Sequence, residues 1–573
     1  CQQSQHRLIP DAMSKKWLYR LLIWIGLTAS VFIPLPAQAF PSQKQISRQI
    51  RQQLSGVESQ KWLQVHRQTI KSNKLLFQFY RQRQFNPAWM TPARLQPLVQ
   101  EMIHAIRQSR FDGLEPEFYH LKEIITATSA IAGNSQQRDP ATSIASLDLL
   151  LSQAFLQLGR HLQRGKAGAP IANSARFLKT ADNQLLEALS NLLVSGKIFS
   201  ELEGLKTNGQ HNKSLRQALG KYLRIKARGG WPVIPPGKAL KKGDRDIRIN
   251  LIKNRLLQTG DLNKSTIALN KKKEPAPVFD SVLESAIRHF QGRHGLRRSG
   301  RLNRKTRLAL NLPVEKRLLQ IQINMDQRRR LPRNLRRRHI IVNIPSMELK
   351  AILNKKIVLK MRVIVGKPEH QTPVLSDTIP YLVINPYWYI PPDFIKDEIL
   401  PAMRKDPNYL AIRGIRLFEK MSADKKEILA ENVDWQSLTP DKINFYFRQD
   451  PGWDNSLGAI KFVMPNRQHI YLHDTPSKSL FQKSSRALSF GCVRVEQPVK
   501  LATFVLQDTR NWTESKIRRL MNIGDLQRVN LSEPVPLYLA YWTVQMDQKN
   551  RLQFLPDVYN LEPDLIASFT AIK

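Results

Sequence analysis

The spacing of apolar residues changes once along this chain, near residue 316, and this change most restricts the possible fold. Before it, apolar residues recur at every third or fourth position, which is the period of an amphipathic helix. After it, short β-branched or aromatic runs bounded by Pro, Gly and Asn predict strands, for example at 339–344, 357–365 and 537–542. A chain with both patterns predicts separate helical and β-rich domains. One helical stripe consists of Leu147, Leu150, Leu151, Ala154, Phe155, Leu158 and Leu162.

Clusters of helix-breaking residues and the change in period predict the domain boundaries of the 573-residue chain. The β-rich domain carries an insertion between its early and late strands. Insertions of this length often cover a site as a lid, and a purely decorative insertion is the alternative. The predicted fold class is multidomain α+β. Its predicted parts are an all-helical scaffold at 40–232, a three-helix module at 233–315, a mostly β domain at 316–545 with the insertion at 393–447, and a C-terminal tail at 546–573.

The N-terminal 39 residues have the layout of an export signal. Lys15, Lys16 and Arg20 precede an apolar stretch, and the run 37–39 then offers an A-x-A cleavage site. We expect residues 13–39 to be a signal peptide cleaved after Ala39, with residues 1–12 as an upstream extension. An uncleaved membrane anchor is the alternative, although the apolar run is short for a membrane span.

The chain is strongly basic, with 90 Lys and Arg against 46 Asp and Glu and a formal net charge of +44. Such a charge predicts an anionic partner: nucleic acid, acidic lipid or an anionic polymer of the cell envelope. Export favours the envelope and argues against nucleic acid. The two cysteines, Cys1 and Cys492, exclude a disulfide-rich scaffold and a multi-cysteine zinc site. We expect neither a metal nor another cofactor.

Cys492 and His473 are the strongest candidates for chemistry. An imidazole that takes the thiol proton or stabilises the thiolate is the minimum for thiol nucleophilic catalysis. Gly491 removes side-chain bulk beside the thiol and leaves room for backbone N–H groups to face an oxyanion. Arg494 shares a face with Cys492 if this segment is extended, where it could clamp a carboxylate. The alternative is a buried cysteine and an unrelated surface histidine.

His473 and the run Ser489-Phe490-Gly491-Cys492-Val493-Arg494 resemble the His…Ser-x-Gly-Cys-x-Arg signature of the L,D-transpeptidases with a YkuD-type catalytic domain. Other pieces resemble the large periplasmic subgroup from Gram-negative bacteria, including its helical scaffold and its peptidoglycan-binding module. A basic stretch at 325–330 and a Lys-rich insert at 271–273 depart from that pattern. The matching pieces are 112–114, 119–121, 147–151, 290–291, 294–296, 365–368, 372–373, 385–391, 451–452, 455–458, 461–462, 534–539 and 541–543.

The resemblance implies a periplasmic enzyme that acts on peptidoglycan. Cys492 would attack the carbonyl before the terminal D-alanine of a stem tetrapeptide, and His473 would act as acid and base. The side-chain amine of another stem would then resolve the thioester into a 3→3 cross-link. Penicillin-binding proteins would be partners that supply donors, and carbapenems would acylate the thiol. A non-catalytic peptidoglycan-binding scaffold and an L,D-carboxypeptidase remain alternatives, and the acceptor and oligomeric state stay open. Further candidate substrate contacts are Arg494, Tyr471, Ser489, Trp388 and Asn455.

Overall fold

A computed structural model provides the structure of residues 41–571, apart from several short internal segments. The predicted signal peptide, Cys1 and the Lys-rich insert at 271–273 lie outside the described residues. The internal segments left undescribed are 56–61, 66–67, 72–73, 92–93, 96, 133–138, 168–174, 207–208, 264–276, 333–334 and 420–425.

The chain divides into two compact units, and the first comprises residues up to 110, 115–159 and 182–205. Helices dominate it, but it also contains two short antiparallel hairpins, so the prediction of an all-helical region is wrong in this detail. The hairpin strands are β1 Trp62–Val65, β2 Gln68–Lys71, β3 Met90–Thr91 and β4 Arg94–Leu95. The helices that lie wholly or partly in this unit are α1 Gln43–Leu54, α2 Lys74–Gln82, α3 Leu98–Gln108, α4 Leu121–Ala132, α5 Pro140–Arg164, α6 Ala175–Ser195 and α7 Ile198–Leu205.

A buried carboxylate organises the first unit. Asp148 on α5 is fully buried, and its carboxylate accepts hydrogen bonds from the Tyr80 hydroxyl (2.6 Å) and from the backbone N–H of Trp89 (2.8 Å). A buried carboxylate is tolerated only when such donors satisfy it. Helix α5 is long and apolar enough to cross a membrane, but most of it is buried within the protein.

The second unit comprises residues 111–114, 160–181 and 206 onwards, and it contains the predicted three-helix module. Asp280 and Asn303 cap two of its helices, since their side chains accept hydrogen bonds from the backbone N–H groups of Leu283 (2.7 Å) and Thr306 (2.9 Å). Phe279, Phe290 and the apolar faces of the helices form its own core. The helices are α9 Arg248–Thr259, α10 Ser281–Arg293 and α11 Arg304–Asn311, and α8 Gly209–Ala227 precedes them.

The β-rich domain is one nine-stranded sheet in the order β15-β7-β16-β14-β13-β8-β17-β5-β6, and a further pairing of β6 with β7 closes it on itself. Closure removes most exposed edges and encloses the main hydrophobic core. The strands are β5 Arg338–Asn343, β6 Glu348–Leu353, β7 Lys356–Gly366, β8 Leu375–Ile384, β13 Ile460–Val463, β14 Leu472–His473, β15 Ala487–Ser489, β16 Val493–Val495 and β17 Gln527–Ala540. Two helices follow β16 along the chain: α16 Pro498–Val505 and α17 Glu514–Ile523.

The insertion is a small subdomain with its own sheet, in the order β11-β10-β12-β9, and its own core. The sheet begins at Trp388, a few residues before the predicted start at 393. Short helical turns, including a π-helix at Ile395–Ile399, connect the strands. The remaining elements are β9 Trp388–Tyr389, α13 Pro392–Phe394, α14 Leu400–Met403, α15 Tyr409–Ile412, β10 Ile415–Glu419, β11 Glu427–Ile428 and β12 Phe445–Gln449.

The C-terminal segment, expected only as a tail, is folded. Strands β18 Val544–Met546 and β19 Leu552–Phe554 form a hairpin, and helix α18 spans Glu562–Thr570. The Phe554 ring stacks on His294 of the three-helix module with 5.1 Å between centroids. The Arg293 guanidinium donates to the carbonyl of Leu552 (2.6 Å), so the hairpin joins the module to the β-rich domain.

Helix α12, Val314–Arg329, carries the basic stretch noted in the sequence, and its arginines are buried. Arg328 donates to the carbonyl of Val544 (3.0 Å) and lies over the Trp542 ring at 4.0 Å. Arg317 donates to the carbonyl of Ala309 (3.2 Å) and lies over the Phe554 ring at 4.4 Å. Part of the chain's positive charge is therefore internal and holds backbone carbonyls and aromatic rings together.

Candidate active site

Strands β13, β14 and β16 bring three side chains into one row: the predicted catalytic histidine and one basic residue on either side of it. Lys461 on β13 lies opposite His473 on β14, and His473 lies opposite Arg494 on β16. Residues directly opposite one another on paired strands project from the same face of the sheet. Tyr471 and Cys492 precede His473 and Arg494 by two residues, so they belong to the same face one row away.

The thiol sits on a sharp turn before β16. Gly491 has φ +107°, a conformation that L-residues rarely adopt, and a Cβ there would lie 3.2 Å from Ile470 Cδ1. The Ser489 hydroxyl donates to the carbonyl of Cys492 (2.6 Å), which fixes the turn from inside. The Ser489 hydroxyl therefore holds the backbone of Cys492 and is not directed at a ligand. The glycine is required here by backbone conformation as well as by space.

Two residues that the sequence analysis did not single out for the site also hold this turn. The Thr372 hydroxyl donates to the carbonyl of Gly491 (2.7 Å) and accepts from the N–H of Gly366 (2.8 Å). The Tyr559 hydroxyl donates to the carbonyl of Gly366 (2.7 Å). Tyr559 comes from the C-terminal segment, so that segment supports the turn at Gly491 and Cys492. In the sequence, Thr372 is noted only as part of a Thr-Pro pair that resembles the family.

His473 is buried and neutral. Burial, then the nearby charges of Arg494 and Lys461, lower the pKa of His473 to about 3, while hydrogen bonds that the ring donates to backbone groups oppose this shift. Its Nδ1 atom has no hydrogen-bond partner within the described part of the chain. The imidazole is thus neutral across the physiological pH range, and one of its two ring nitrogens carries no proton.

The Cys492 thiol is also neutral in this resting arrangement. Burial raises the pKa of Cys492 above its ordinary value, and hydrogen bonding by Tyr471 and the charges of Lys461 and Arg494 oppose that rise. Its Sγ lies 3.8 Å from the carbonyl oxygen of His469. Among the described residues no hydrogen bond joins Sγ to the His473 imidazole, although the two lie on neighbouring strands. Catalytic hydrogen bonds are often long until substrate binds.

Comparison with protein families assigns the three parts of the chain. Residues 337–517 match the model of the L,D-transpeptidase catalytic domain of the YkuD type. This match includes Cys492, His473, Arg494 and the insertion. The β-rich part of this chain is a YkuD-type L,D-transpeptidase catalytic domain. Residues 252–310 match the "Putative peptidoglycan binding domain" and residues 74–219 match the scaffold domain.

A curated relative supports the same assignment. It is a Haemophilus influenzae protein named "Putative L,D-transpeptidase", 34% identical over 223 residues, which are 39% of this chain and 44% of that protein. The chain therefore spans less than half the length of this relative. Among solved structures, an L,D-transpeptidase from Mycobacterium smegmatis is 11% identical, covers 35% of this chain and 58% of that chain, and has a TM-score of 0.18. One from Xylanimonas cellulosilytica is 11% identical, covers 53% and 98%, and has a TM-score of 0.15. Scores this low carry no argument about the fold.

The two other predicted contacts, Asn455 and Trp388, differ in how near they lie to the thiol. Asn455 is completely buried, and its side-chain amide donates to the carbonyls of Asp450 (2.9 Å) and Pro386 (3.2 Å), so it holds the loop between insertion and sheet. Trp388 is buried in the core of the insertion, packs against Phe394 with 5.2 Å between centroids, and hydrogen-bonds the Tyr471 side chain beside the thiol. Of the further candidate substrate contacts, Tyr471 and Arg494 share the face of the thiol, and Asn455 does not.

The insertion of the catalytic domain contacts the turn that carries Cys492 through the Phe490 ring. The Phe490 ring packs against Phe394 of the insertion (4.8 Å between centroids) and against His370 (4.4 Å). His370 Nε2 in turn lies 2.8 Å from the Asp397 carboxylate of the insertion. The insertion therefore lies next to the catalytic motif, where a lid is expected.

Proposed function

We propose that this protein is a cysteine-dependent L,D-transpeptidase of peptidoglycan. The observation that carries the proposal is the placement of Cys492, His473 and Tyr471 on one face of a sheet inside an L,D-transpeptidase catalytic domain. The adjoining domain that matches a peptidoglycan-binding model supports the wall polymer as substrate. The export signal predicted at 13–39 favours a reaction in the periplasm, where penicillin-binding proteins would supply tetrapeptide donors.

In the first half-reaction the Cys492 sulfur attacks the carbonyl between the diamino acid and the terminal D-alanine of a stem tetrapeptide. His473 accepts the thiol proton as the carbon–sulfur bond forms, because both groups start neutral. The carbon–nitrogen bond then breaks, and His473 gives that proton to the nitrogen of the leaving D-alanine. Backbone N–H groups beside Gly491 would stabilise the developing oxyanion. The product is a thioester at Cys492 and free D-alanine.

In the second half-reaction the side-chain amine of another stem attacks the thioester. His473 takes a proton from the attacking nitrogen and returns it to the departing sulfur, which restores the thiol. One amide bond has replaced another, so no cofactor or energy source enters the balance. Water in place of the amine would give an L,D-carboxypeptidase from the same intermediate.

Mass spectrometry of the purified protein with disaccharide-tetrapeptide tests the proposal. We expect a mass gain equal to the donor minus D-alanine on the wild type and none on Cys492→Ala. Adding a second stem as acceptor should release a cross-linked dimer, whereas release of a tripeptide alone would indicate a carboxypeptidase. A reactive thiol that gives no acyl-enzyme would overturn the enzymatic proposal and leave a binding scaffold.

Carbapenems provide an independent probe of the same thiol. We expect a covalent adduct on Cys492, detected as a mass gain equal to the whole carbapenem, because ring opening transfers the acyl group without loss of atoms. The adduct should be absent from Cys492→Ala.

A further inference from the structure

Two cations flank the catalytic histidine, and neither has an acidic partner. Lys461 and Arg494 lie on either side of His473 in the row across β13, β14 and β16. Within the part of the chain that the structure describes, no carboxylate lies within ion-pair distance of either side chain. The Lys461 ammonium lies over the Tyr471 ring, 3.9 Å from its centroid, and the buried Nε of Arg494 has no hydrogen-bond partner.

Carboxylates close in sequence to this row are engaged elsewhere. Glu496, two residues beyond Arg494, accepts from Arg362 Nε (2.9 Å) instead. Asp474, directly after His473, accepts from the N–H of Ala459 (3.1 Å) and pairs with Lys478. Arg362 and Lys478 thus hold these two acids, and Lys461 and Arg494 are left without one. Partly buried cations without a counter-ion are costly, and such an arrangement is typical of a site for an anion.

We propose that Lys461, together with Arg494, binds a carboxylate of the donor stem peptide beside the thiol. This inference rests on the proposed function, since it names a recognition element of that donor. A tetrapeptide stem offers two kinds of carboxylate near the scissile bond: that of the terminal D-alanine and a free carboxyl group of the diamino acid. Their chemistry is the same, so amidation of each one separately must distinguish them.

The spacing of the row suits this role. Neighbouring strands lie roughly 5 Å apart, so the backbones of Lys461 and Arg494 are about 10 Å apart with His473 between them. Both side chains are long enough to converge on one group above the imidazole. A bound carboxylate there neutralises two charges that oppose protonation of His473. Binding of the correct donor would therefore strengthen the base that must accept the thiol proton.

Acylation of the full-length protein by three donors tests the proposal: the natural disaccharide-tetrapeptide, its D-alaninamide form, and a form amidated on the diamino acid. We expect amidation of the recognised carboxylate to lower kcat/KM for acylation of the wild type by about 10- to 100-fold. Lys461→Met should lose most of this preference, because its acylation of the acid falls towards that of the amide. Lys461→Arg should keep the preference.

Lys360→Met is the matched control, because it removes a lysine of the same sheet that is paired with Glu348 (2.8 Å). It should discriminate between the donors as the wild type does. If Lys461→Met slows all three donors equally, the lysine acts only through the thiol, and the inference is wrong. A parallel shift in the pH dependence of Cys492 alkylation by iodoacetamide would identify that role. If the wild type forms no acyl-enzyme with any donor, the proposed function itself fails.

Discussion

Two groups of cations in the second unit differ in the partners that the fold gives them. On helix α12, Arg317 and Arg328 each donate to a backbone carbonyl and lie over an aromatic ring. Beside the thiol, Lys461 has only the Tyr471 ring, and Arg494 has a buried Nε without a partner. Arg317 and Arg328 also keep a buried Nε without a partner, but a carbonyl and an aromatic ring hold each of them. Among the described residues no hydrogen-bond acceptor holds the side chain of Lys461 or Arg494, and we propose that a ligand provides one.

The difference predicts how substitutions separate stability from activity. Removing a satisfied cation leaves a carbonyl without its donor, and that costs stability. Removing an unsatisfied cation relieves a desolvation cost, so the protein should be as stable as before, or more stable, while activity falls. Such a trade of stability for function is expected at an active site.

The largest effect should come from the histidine between the two unsatisfied cations. His473→Ala should lower the rate of acyl-enzyme formation by about 100- to 10,000-fold, because the thiol loses its base. His294→Ala is the matched control, since His294 is also buried but lies between Phe290 and Phe554 (3.9 and 5.1 Å between centroids). It should lower Tm and leave acylation unchanged below the melting range. Equal losses of acylation rate in the two variants would contradict the role of His473 as the base for the thiol.

The next effect concerns Arg494. Arg494→Met should slow acylation by about tenfold or more, as expected for loss of a charge-assisted contact to substrate. Its Tm should equal or exceed that of the wild type, because a poorly satisfied cation is removed. Stopped-flow acylation and thermal melting on the same samples measure both quantities. A marked loss of Tm would mean that Arg494 belongs with the structural cations.

Arg328 should behave in the opposite way. Arg328→Met removes the donor to the Val544 carbonyl and should destabilise the protein by about 1–3 kcal/mol. Denaturant unfolding gives the free energy of unfolding, and acylation at a low temperature should match the wild type. Unchanged stability together with slowed acylation would contradict the division between the two sets.

The last prediction concerns the pH dependence of stability. The pKa of His473 is lowered to about 3 in the folded protein and is near 6.5 when unfolded, so the unfolded state binds the proton first. The corresponding stability is present above about pH 6.5 and is lost as the pH falls towards 3, by at most about 1.4 kcal/mol per pH unit. His473→Gln should flatten the decline of Tm between pH 7 and pH 4. An unchanged slope would mean that the imidazole is not buried in its neutral form.

Local patterns in the sequence were sufficient for some features of the fold. The change of period predicted the helical and β-rich parts, and the breaker residues predicted the three-helix module. The short hairpins β1–β2 and β3–β4 were missed because two- to four-residue strands carry too little periodicity. The predicted boundaries of the domains stay predictions.

The candidate site was only partly predictable. The motif identified Cys492, His473 and Arg494, and two-residue spacing placed Cys492 and Arg494 on one face. Lys461 was not singled out because its position beside His473 depends on the register of β13 against β14, which no local pattern specifies. Its sequence signal is a single charged residue in the otherwise apolar strand Ile460–Val463. Tyr559 supports the turn from a distant segment and had no local signal.

The raised pKa of the Cys492 thiol has a consequence for the lifetime of the protein. Peroxides oxidise thiolates to sulfenic acid far faster than they oxidise thiols, and further oxidation is irreversible. In the proposed mechanism the sulfur is protonated between turnovers and becomes nucleophilic only as His473 takes its proton, so it would resist this damage while no substrate is bound. The burial that keeps the Cys492 thiol protonated thus also protects it against oxidation.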